Sequence, residues 1–374
     1  MKTEYREACR LKSLCFDGRI MQIIETIIDY LLTSNRLPYP VNAFIDPVSN
    51  MCQLKCPLCP VGAQIITHDR LLMQMDTFKT ILDKMPFLRT LDLYRSGEPF
   101  LNPDLLTMIR LANQRNIRVT VSTHFSFAKP DHFFDELVAS GLESLVVSLD
   151  GASQETYSRY RIGGNYDLVL ANIKKLIEAK IKARKKTPII IWQFLVNKYN
   201  ENEIATAREI ASSLDITLEL RSISLADNEP DVKHEPFSIE DRKKEWLPEN
   251  DAYISDCYKG KYGYPLSKKV CSQLFTRVIV LADGKILPCC EAREKESAFG
   301  DLLTQSFDDI WSGRKYLDAR LRALNIKNTT EGQSVCFRCN NFSTTPSVKD
   351  KLRLLATVSR NYLFHLRHKT AINQ

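Results

Sequence analysis

Three closely spaced cysteines, Cys52, Cys56 and Cys59, are the residues whose types and spacing point most directly to chemistry. Their Cys-x3-Cys-x2-Cys spacing allows three thiolates to face one inorganic cluster and provides no fourth protein ligand. Four ligands complete a [4Fe–4S] cluster, so a cluster held by three cysteines keeps one iron open to an external chelating molecule. Zinc is the alternative metal, but closed structural zinc sites also use four ligands. The spacing therefore favours an iron–sulfur cluster with an open coordination site.

A second group of cysteines lies towards the C-terminus and comprises Cys271, Cys289, Cys336 and Cys339. Residues 278–281 and 285–287 are apolar and flank Ala282-Asp283-Gly284, a pattern that predicts a β-hairpin. The hairpin returns Cys289 to the region of Cys271, and the later Cys-x2-Cys pair supplies two more thiolates. Together they form a closed site for a [4Fe–4S] cluster or for zinc. Cys290 is the alternative to Cys289, and Cys257 is a spare thiol.

Composition restricts the class of protein. The chain has 374 residues, of which 44% are hydrophobic and 26% charged, as in ordinary globular proteins. Eleven cysteines, an odd number without a secretory signal, argue against a disulfide scaffold and favour a reducing cytoplasm. No stretch approaches the roughly 18 apolar residues of a membrane span. The net charge of +7 is modest and no nucleic-acid-binding motif accompanies it, so we expect a cytoplasmic protein without a nucleic-acid partner.

From residue 41 onward, apolar strands alternate with amphipathic helices, which is typical of β/α units around a parallel sheet. The predicted strands are residues 42–47, 89–94, 117–122, 143–149, 188–195 and 216–221. The predicted helices lie near residues 75–86, 103–115, 130–140, 166–184 and 201–213. In parallel barrels, functional side chains collect at the C-terminal ends of the strands. The cysteine loop and Gly97-Glu98-Pro99 both follow predicted strands and fall at that end.

Changes in composition divide the chain into five predicted parts. These are an N-terminal helical extension (1–40), a barrel (41–223), a polar linker or substrate-covering loop (224–268), a cysteine-rich domain (269–345) and a basic amphipathic C-terminal helix (346–374). We favour a C-terminal helix that docks on the body with its basic face in solvent. The alternative is a peripheral contact of its basic face with an anionic membrane or an acidic partner.

The order of these motifs resembles that of the radical S-adenosylmethionine (SAM) superfamily. Cys52-x3-Cys56-x2-Cys59 after the apolar run 41–48 is similar to the superfamily's cluster loop, although Leu58 replaces an aromatic residue that is common there. The resemblance covers about residues 41–340. It implies an α/β fold, in which a partial (β/α)6 TIM-type barrel precedes a small C-terminal α+β domain made of a β-hairpin plus a helix, residues 307–324.

The resemblance also implies a SAM-binding site. Its Gly-Glu-Pro segment, which receives the SAM amino group in the family, corresponds to Gly97, Glu98 and Pro99. The other implied cofactor-binding residues are Ser148, Asp150, Arg161 and Gln193. Arg161 would pair with the SAM carboxylate through its planar guanidinium, and Arg159 is the alternative. His124 stands where relatives often have a Thr-Asn-Gly sequence, which makes it the candidate catalytic residue.

The C-terminal pattern is similar to the auxiliary-cluster domain called SPASM or, in its shortened form, twitch. The pattern consists of Cys-x12-Gly-x4-Cys, then Gly300-Asp301-Leu302, Ile310-Trp311 and a final Cys-x2-Cys. Since no cysteine follows Cys339, the resemblance implies the twitch form. One auxiliary [4Fe–4S] cluster would then be held by Cys271, Cys289, Cys336 and Cys339.

Function follows from the resemblance as an expectation. It implies an oxidoreductase in which a 5′-deoxyadenosyl radical from SAM abstracts hydrogen from a small polar, carbohydrate-like substrate. The auxiliary cluster would accept an electron, giving a dehydrogenation, and a flavodoxin or ferredoxin would be the electron donor. The alternatives are a SPASM-type maturase that modifies a ribosomally made peptide and, in another class, a non-catalytic zinc-binding interaction protein. The sequence identifies neither the substrate nor a general base.

Overall fold

The computed structural model describes residues 26, 30, 37–66, 69–225, 239–255, 270–325, 334–339, 347, 349–356 and 358. The predicted N-terminal extension (1–40) and C-terminal helix (346–374) therefore lie largely outside the described residues. Of the C-terminal segment, residues 349–356 are helical. Leu354 and Val358 are buried against the main core, so this part of the tail docks on the body.

Six parallel strands form the partial barrel that the sequence predicts, and they pair in the order in which they occur in the chain. They are β1 Asn42–Ile45, β2 Thr90–Asp92, β3 Arg118–Thr123, β4 Ser144–Ser148, β5 Ile189–Val196 and β6 Thr217–Ser222. Each overlaps its predicted range. In β5, Ile190, Trp192, Phe194 and Val196 are buried while the residues between them are more exposed, because successive strand side chains point to opposite faces.

The five predicted helices are confirmed as α1 Met75–Lys84, α2 Leu105–Gln114, α3 Asp131–Ala139, α5 Tyr166–Lys182 and α6 Ile204–Ser213. A short helix that was not predicted, α4 Gln154–Tyr160, lies between α3 and α5. Each of the longer helices buries one apolar stripe, as Leu105, Met108, Ile109 and Ala112 show in α2. The strands and helices thus share one continuous core.

The C-terminal hairpin forms as predicted, from β7 Arg277–Val280 and β8 Lys285–Leu287. Gly284 adopts a φ of +86°, which the turn between the strands requires. The hairpin is not an isolated sheet, because β7 pairs in parallel with β1 and β9 Gly300–Asp301 pairs with β8. Among the described residues, the sheet has nine strands in the order β9-β8-β7-β1-β2-β3-β4-β5-β6. The cysteine-rich domain therefore extends the barrel sheet.

The helix predicted over residues 307–324 is wrong as a single element. The chain forms two helices, α8 Phe307–Trp311 and α9 Arg314–Leu324. Gly313 between them has an extended backbone and caps the start of α9, and a Cβ there would lie 2.6 Å from the Asp309 carbonyl oxygen. Glycine has a low helix propensity, which favours the break.

The predicted linker (224–268) contains ordered structure where it is described. Residues Ile239–Trp246 form helix α7, although the segment is polar. Trp246 is buried and packs edge-on against Tyr160 and Tyr199, with ring centroids 5.4 and 5.5 Å away. The helix therefore covers the side of the barrel mouth next to the cysteine loop, whose Leu54 and Leu58 belong to the same small core.

No helix in the described part of the chain is long and apolar enough to cross a membrane.

The close approach of Gly97 to the cysteine loop gives a first prediction. Gly97 and Gly163 have φ values of +106° and +90°, so alanine strains the backbone at either position. A Cβ at Gly97 would also collide with the Met51 backbone, whereas the nearest atom at Gly163 is 3.7 Å away. We expect Gly97→Ala to lower the free energy of unfolding by about 1–3 kcal/mol more than Gly163→Ala, measured by urea denaturation. Equal losses in the two variants would contradict a specific role for the Gly97 contact.

Candidate active site

A cavity of about 190 Å³ opens at the C-terminal ends of the parallel strands. Its wall includes Cys52, Cys56 and Cys59 of the predicted cluster loop. The wall also includes Gly97, Glu98, His124, Ser148 and Arg161. The structure therefore places most of the residues implied for a cluster and for SAM around one space.

The cluster loop is a compact turn. The Cys59 amide donates to the Cys56 carbonyl at 3.1 Å, and the Ala63 amide donates to the Cys59 carbonyl at 2.7 Å. A Cβ at Gly62 would lie 2.5 Å from the Cys56 nitrogen, so only glycine allows the loop to close this tightly. Leu58 is buried, as expected of an apolar residue that shields a cluster. Backbone hydrogen bonds and the close packing of Gly62 thus hold the three cysteines in one tight loop.

Glu98 is held by three donors in a buried position. Its Oε1 accepts from the Phe100 amide at 3.1 Å and from the Thr123 hydroxyl at 2.7 Å, and its Oε2 accepts from the His124 amide at 2.9 Å. Burial raises the pKa of Glu98 to about 7, although these hydrogen bonds oppose the rise. Pro99 is buried at the start of the 3-10 turn Pro99–Leu101 that follows. The carboxylate is therefore fixed in place at the cavity wall.

His124 lines the cavity, but its ring is already engaged. Its Nδ1 accepts from the Ser126 amide at 3.0 Å, which puts the ring proton on Nε2, 3.0 Å from Gln53 Oε1. Burial lowers the pKa of His124 to about 3, so the ring is neutral. A neutral imidazole that bonds to the cluster loop suits a positioning residue better than a proton-transfer catalyst.

Arg161 and Asp150 form a buried ion pair, with Nε 2.6 Å from Oδ2. The other Asp150 oxygen accepts from the Leu195 amide at 2.7 Å. The Nη1 of Arg161 also approaches the Cys56 sulfur at 3.8 Å, so the guanidinium faces the cluster loop. Arg159 is exposed and stacks over Tyr199 at 5.5 Å, away from the cavity wall. Of the two candidates for the SAM carboxylate, the geometry therefore favours Arg161.

Ser148 and Gln193 are register partners on β4 and β5. Ser148 is buried and lines the cavity, whereas Gln193 is half-buried and lies beyond the cavity wall. The structure therefore brings Ser148, but not Gln193, into contact with the space that the cysteines share. A role for Gln193 in binding the cofactor stays a prediction.

The donor set fits a cluster held by three thiolates. Burial raises the pKa of the Cys52 thiol to about 12 and that of Cys56 to about 11. Such thiols keep their protons until iron binds. The iron replaces the protons and supplies the positive charge that stabilises the thiolates. The Arg161 guanidinium beside Cys56 adds a second positive charge. In the described ranges, no three His, Cys, Asp or Glu side chains are close enough together to bind a single metal ion. The three cysteines suit a cubane instead, because each thiolate of a cubane binds a different iron.

The C-terminal cysteines also come together. Burial is the first cause that raises the pKa of each of Cys271, Cys289 and Cys336, and the charges of the neighbouring cysteines, Cys339 included, raise them further. Cys290 is also a neighbour of Cys271 and Cys289, but its sulfur donates to Gln273 Oε1 at 3.3 Å. The geometry therefore favours Cys289 over Cys290 as the ligand in the auxiliary group, and Cys257 lies outside the described residues.

Two arginines in the cavity wall received no role from the sequence. Arg95 directly precedes the Ser96-Gly97-Glu98-Pro99 turn, and Arg293 follows the hairpin cysteines. A charged residue at the C-terminal end of a buried strand was the available signal for Arg95. Arg293 lies in a polar loop and carries no sequence pattern.

Comparison with protein families agrees with this geometry. The model of the radical SAM superfamily matches residues 47–211, and the model of the iron–sulfur cluster-binding domain SPASM matches residues 271–340. The chain belongs to the radical SAM superfamily. It is a radical SAM enzyme with a C-terminal SPASM-type domain, and its cofactors are [4Fe–4S] clusters and SAM. The resemblance drawn from the sequence motifs is thus confirmed.

Curated relatives of this radical SAM enzyme have several activities. A probable GTP 3′,8-cyclase of Methanococcus maripaludis is 22% identical over 263 residues, which cover 67% of this chain and 85% of the relative. An AdoMet-dependent heme synthase of Methanosarcina barkeri is 28% identical over 165 residues, which cover 44% of this chain and 45% of the relative. At these identities the relatives do not assign a substrate.

Solved structures share the fold of this radical SAM enzyme. SuiB of Streptococcus suis bound to S-adenosylmethionine has a TM-score of 0.56 at 17% identity, covering 83% of this chain and 74% of SuiB. The protein anSMEcpe with bound AdoMet has a TM-score of 0.56 at 13% identity, covering 90% of this chain and all of that one, 100%. They confirm the partial-barrel fold.

The position of Arg161 predicts its effect on SAM. We expect Arg161→Lys, which keeps the charge but loses the planar fork, to weaken SAM binding by about tenfold or more. Arg159→Lys is the matched control and leaves the affinity unchanged, because Arg159 points away from the cavity. Equilibrium dialysis on reconstituted protein measures both, with iron content recorded for each variant. An equal loss in the two variants, or none, would contradict the assignment.

The two hairpin cysteines are distinguished by iron content. We expect Cys289→Ala to reduce iron from about eight atoms per chain to about four, because it removes a ligand of the auxiliary cluster. Cys290→Ala should retain about eight, since its sulfur bonds to Gln273. Iron and acid-labile sulfide analysis after anaerobic reconstitution measures both. Loss of iron in Cys290→Ala alone would exchange the two assignments.

Proposed function

We propose that this radical SAM enzyme oxidises a small polar, carbohydrate-like molecule by removing two electrons. The observation that carries the proposal is the short connection between the two cysteine groups. Cys289, which we assign to the auxiliary group, has cysteine neighbours, and Arg293, four residues later, lines the cavity. The Arg95 guanidinium, also in the cavity wall, donates to the Ala292 carbonyl. An electron acceptor held by the auxiliary cysteines is thereby joined directly to the wall of the reaction site.

When bound, SAM and the two clusters would supply the redox chemistry, which is hydrogen-atom abstraction from the substrate by a radical formed on one-electron reduction of SAM, and acceptance of the substrate's second electron. The chain's own residues bind and orient. Cys52, Cys56 and Cys59 would hold the first cluster. The Glu98 carboxylate would accept a hydrogen bond from the SAM amino group. Arg161, kept in place by Asp150, would bind the SAM carboxylate.

Other residues exclude water from the cavity. Helix α7 packs Trp246 against Tyr160 beside the cluster loop. On another side of the cavity, the loop after the hairpin is held to the turn after β2 by the hydrogen bond from the Arg95 guanidinium to the Ala292 carbonyl. A radical intermediate needs such exclusion, because side reactions with solvent compete with the intended one. A one-electron donor of the flavodoxin or ferredoxin type would reduce the first cluster from outside.

Modification of a peptide is the second candidate. Its support is the fold shared with SuiB bound to the precursor peptide SuiA, which has a TM-score of 0.55 at 15% identity and covers 82% of this chain. Under this alternative, the substrate would be a segment of a longer chain, and a leader sequence would alter the rate of SAM cleavage.

Hydrogen transfer from a labelled mixture tests the proposal. Protein reconstituted without oxygen is mixed with SAM, dithionite and small-molecule extract from cells grown on deuterated carbon source. We expect deuterium in 5′-deoxyadenosine and an oxidised product, both by mass spectrometry. Cys56→Ala should form no 5′-deoxyadenosine. Cys336→Ser should still form it but lose the oxidised product, because the electron acceptor is gone.

The same experiment separates the alternatives. Deuterium transfer from a peptide fraction, and none from small molecules, would favour the second candidate. SAM cleavage with normal product formation in Cys336→Ser would contradict oxidation through the auxiliary group. No SAM cleavage by protein that holds both clusters would contradict the proposal as a whole.

A further inference from the structure

Asp46 is a buried carboxylate at the C-terminal end of strand β1. It directly follows Ile45, the last residue of the strand, and is only 1% exposed. Its amide donates to the Val280 carbonyl at 2.9 Å, so the end of β7 holds its backbone in place. Strand ends of this kind carry the functional side chains of parallel barrels. The arrangement of SAM and cluster ligands described above gives Asp46 no role.

Ser96 connects Asp46 to the cavity. Its hydroxyl donates to Asp46 Oδ2 at 2.6 Å, and its amide donates to Asp46 Oδ1 at 3.3 Å. Ser96 is also part of the cavity wall, next to Gly97 and Glu98. A hydroxyl group has one proton to donate and two lone pairs that accept, so Ser96 is able to take a proton from a molecule in the cavity while it gives its own to Asp46. Asp46 therefore lies one hydrogen bond away from the cavity wall.

The charges that face Asp46 favour its ionised form. Arg95 Nη1 lies 3.7 Å from Asp46 Oδ2, and both side chains are almost fully buried. Burial is the main cause that raises the pKa of Asp46 to about 6, and the Arg95 charge, the hydrogen bonds from Ser96 and the Arg293 charge oppose the rise. At neutral pH the Asp46 carboxylate is therefore mostly ionised and able to accept a proton.

The other charged groups beside Ser96 belong to an adjoining small cavity, which Ser96 also lines. Asp69 there lies 2.7 Å from Lys295, and Asp283 lies 2.7 Å from Lys285. Each of these two carboxylates thus has a lysine as its counter-charge. The proton affinity of Asp46 is accordingly set by its burial and by the arginines and the serine that contact or face it.

We propose that Asp46 accepts, through the Ser96 hydroxyl, the proton that a hydroxyl group of the substrate loses when it is oxidised. The proposal rests on the proposed function and adds the group that takes the proton. The O–H bond of the substrate breaks, its proton bonds to Ser96 Oγ, and the proton of Ser96 bonds to Asp46 Oδ2. The neighbouring carbon has already lost a hydrogen atom, so release of one electron to the auxiliary [4Fe–4S] cluster completes the carbonyl group. The substrate loses two protons and two electrons in all.

An acceptor inside the protein is needed because the cavity excludes water. A proton released there has no bulk solvent to receive it, and a positioned base lowers the barrier to its transfer. Ser96 is the residue that would contact the substrate, and Asp46 acts through it. When the product leaves and water enters the cavity, the same hydrogen bond returns the proton to solvent.

The charge state of Asp46 is measured first, without a substrate. Infrared difference spectra of the SAM-loaded holoenzyme report protonated carboxyl groups as the pH is raised from about 5 to about 8. We expect a band that disappears as the pH passes about 6 and that is absent from Asp46→Asn, which distinguishes it from Glu98. In Ser96→Ala the band should disappear at a higher pH, because the hydroxyl that lowers the pKa of Asp46 is gone. A band that persists at about pH 8 in the wild type would overturn the proposal.

Proton transfer is tested with the deuterated small-molecule extract as the probe. The readout is the ratio of oxidised product to deuterated 5′-deoxyadenosine, with iron content recorded for each variant. We expect Asp46→Asn and Ser96→Ala to lower this ratio about a hundredfold, because hydrogen abstraction continues while proton loss is blocked. Ser96→Thr retains the hydroxyl and should retain the ratio. Ser122→Ala is the matched control, a serine of β3 in the same cavity wall, and should also retain it.

The pH dependence separates a proton acceptor from a structural residue. Product formation requires ionised Asp46, so the wild-type ratio should fall as the pH drops below about 6. This acid limb should be missing from Asp46→Asn and should move to higher pH in Ser96→Ala. Since Ser96→Ala keeps the charge pair of Asp46 and Arg95, it tests the proposal even if Asp46→Asn does not fold.

The outcomes distinguish this inference from the proposed function. A wild-type ratio in both Asp46→Asn and Ser96→Ala would overturn the inference alone, since the oxidation itself would still occur. An equal fall of product and 5′-deoxyadenosine in these variants would also overturn it, because the residues would then serve the fold or the cluster. Deuterium transfer without an oxidised product in the wild type would contradict the proposed function, and the infrared titration would still decide whether Asp46 is an ionised acceptor.

Discussion

The backbone contact between Met51 and Gly97 joins the two halves of the active site. Residues 51 and 97 form an isolated parallel bridge, in which the Glu98 amide donates to the Met51 carbonyl at 2.8 Å. The contact is close enough that a side chain on Gly97 would displace the cluster loop. The contact places the Glu98 carboxylate at the end of β3, where the Thr123 hydroxyl and the His124 amide donate hydrogen bonds to it. The spacing between the cluster and the polar end of SAM is thereby set by backbone, which varies less than side-chain packing.

Burial of charge is the second organising constraint. The cavity contains thiols, a carboxylate and arginines at positions where water is scarce, so each charged form depends on a partner. Arg161 shows the principle, since its charge is stabilised by the Asp150 carboxylate. The cysteines show the opposite case, because burial keeps them protonated until a metal arrives. The protein is thus folded around an electrostatic arrangement that its cofactors complete.

The barrel could be predicted from sequence because burial imposes a regular spacing of apolar residues along each strand and helix. The cysteines could be found because few kinds of side chain bind metals. The pairing of β7 with β1 could not be predicted, since both strands are apolar and more than two hundred residues separate them. The break at Gly313 was missed because the apolar pattern continues through it. Arg159 and Arg161 could not be separated, because two residues of spacing in a loop do not determine which side chain turns inward. Arg293 lacked any local pattern, and only the folded hairpin brings it to the cavity.

The central position of β1 sets the order in which the molecule can be completed during translation. Strand β1 pairs with β2 on one edge and with β7 on the other, and β7 ends only at Val280. The cluster loop likewise shares its small core with Trp246. Since the chain is made from its N-terminus, the cysteine loop is complete more than two hundred residues before β7. The sheet beside the cluster loop can therefore close only after the hairpin has been made.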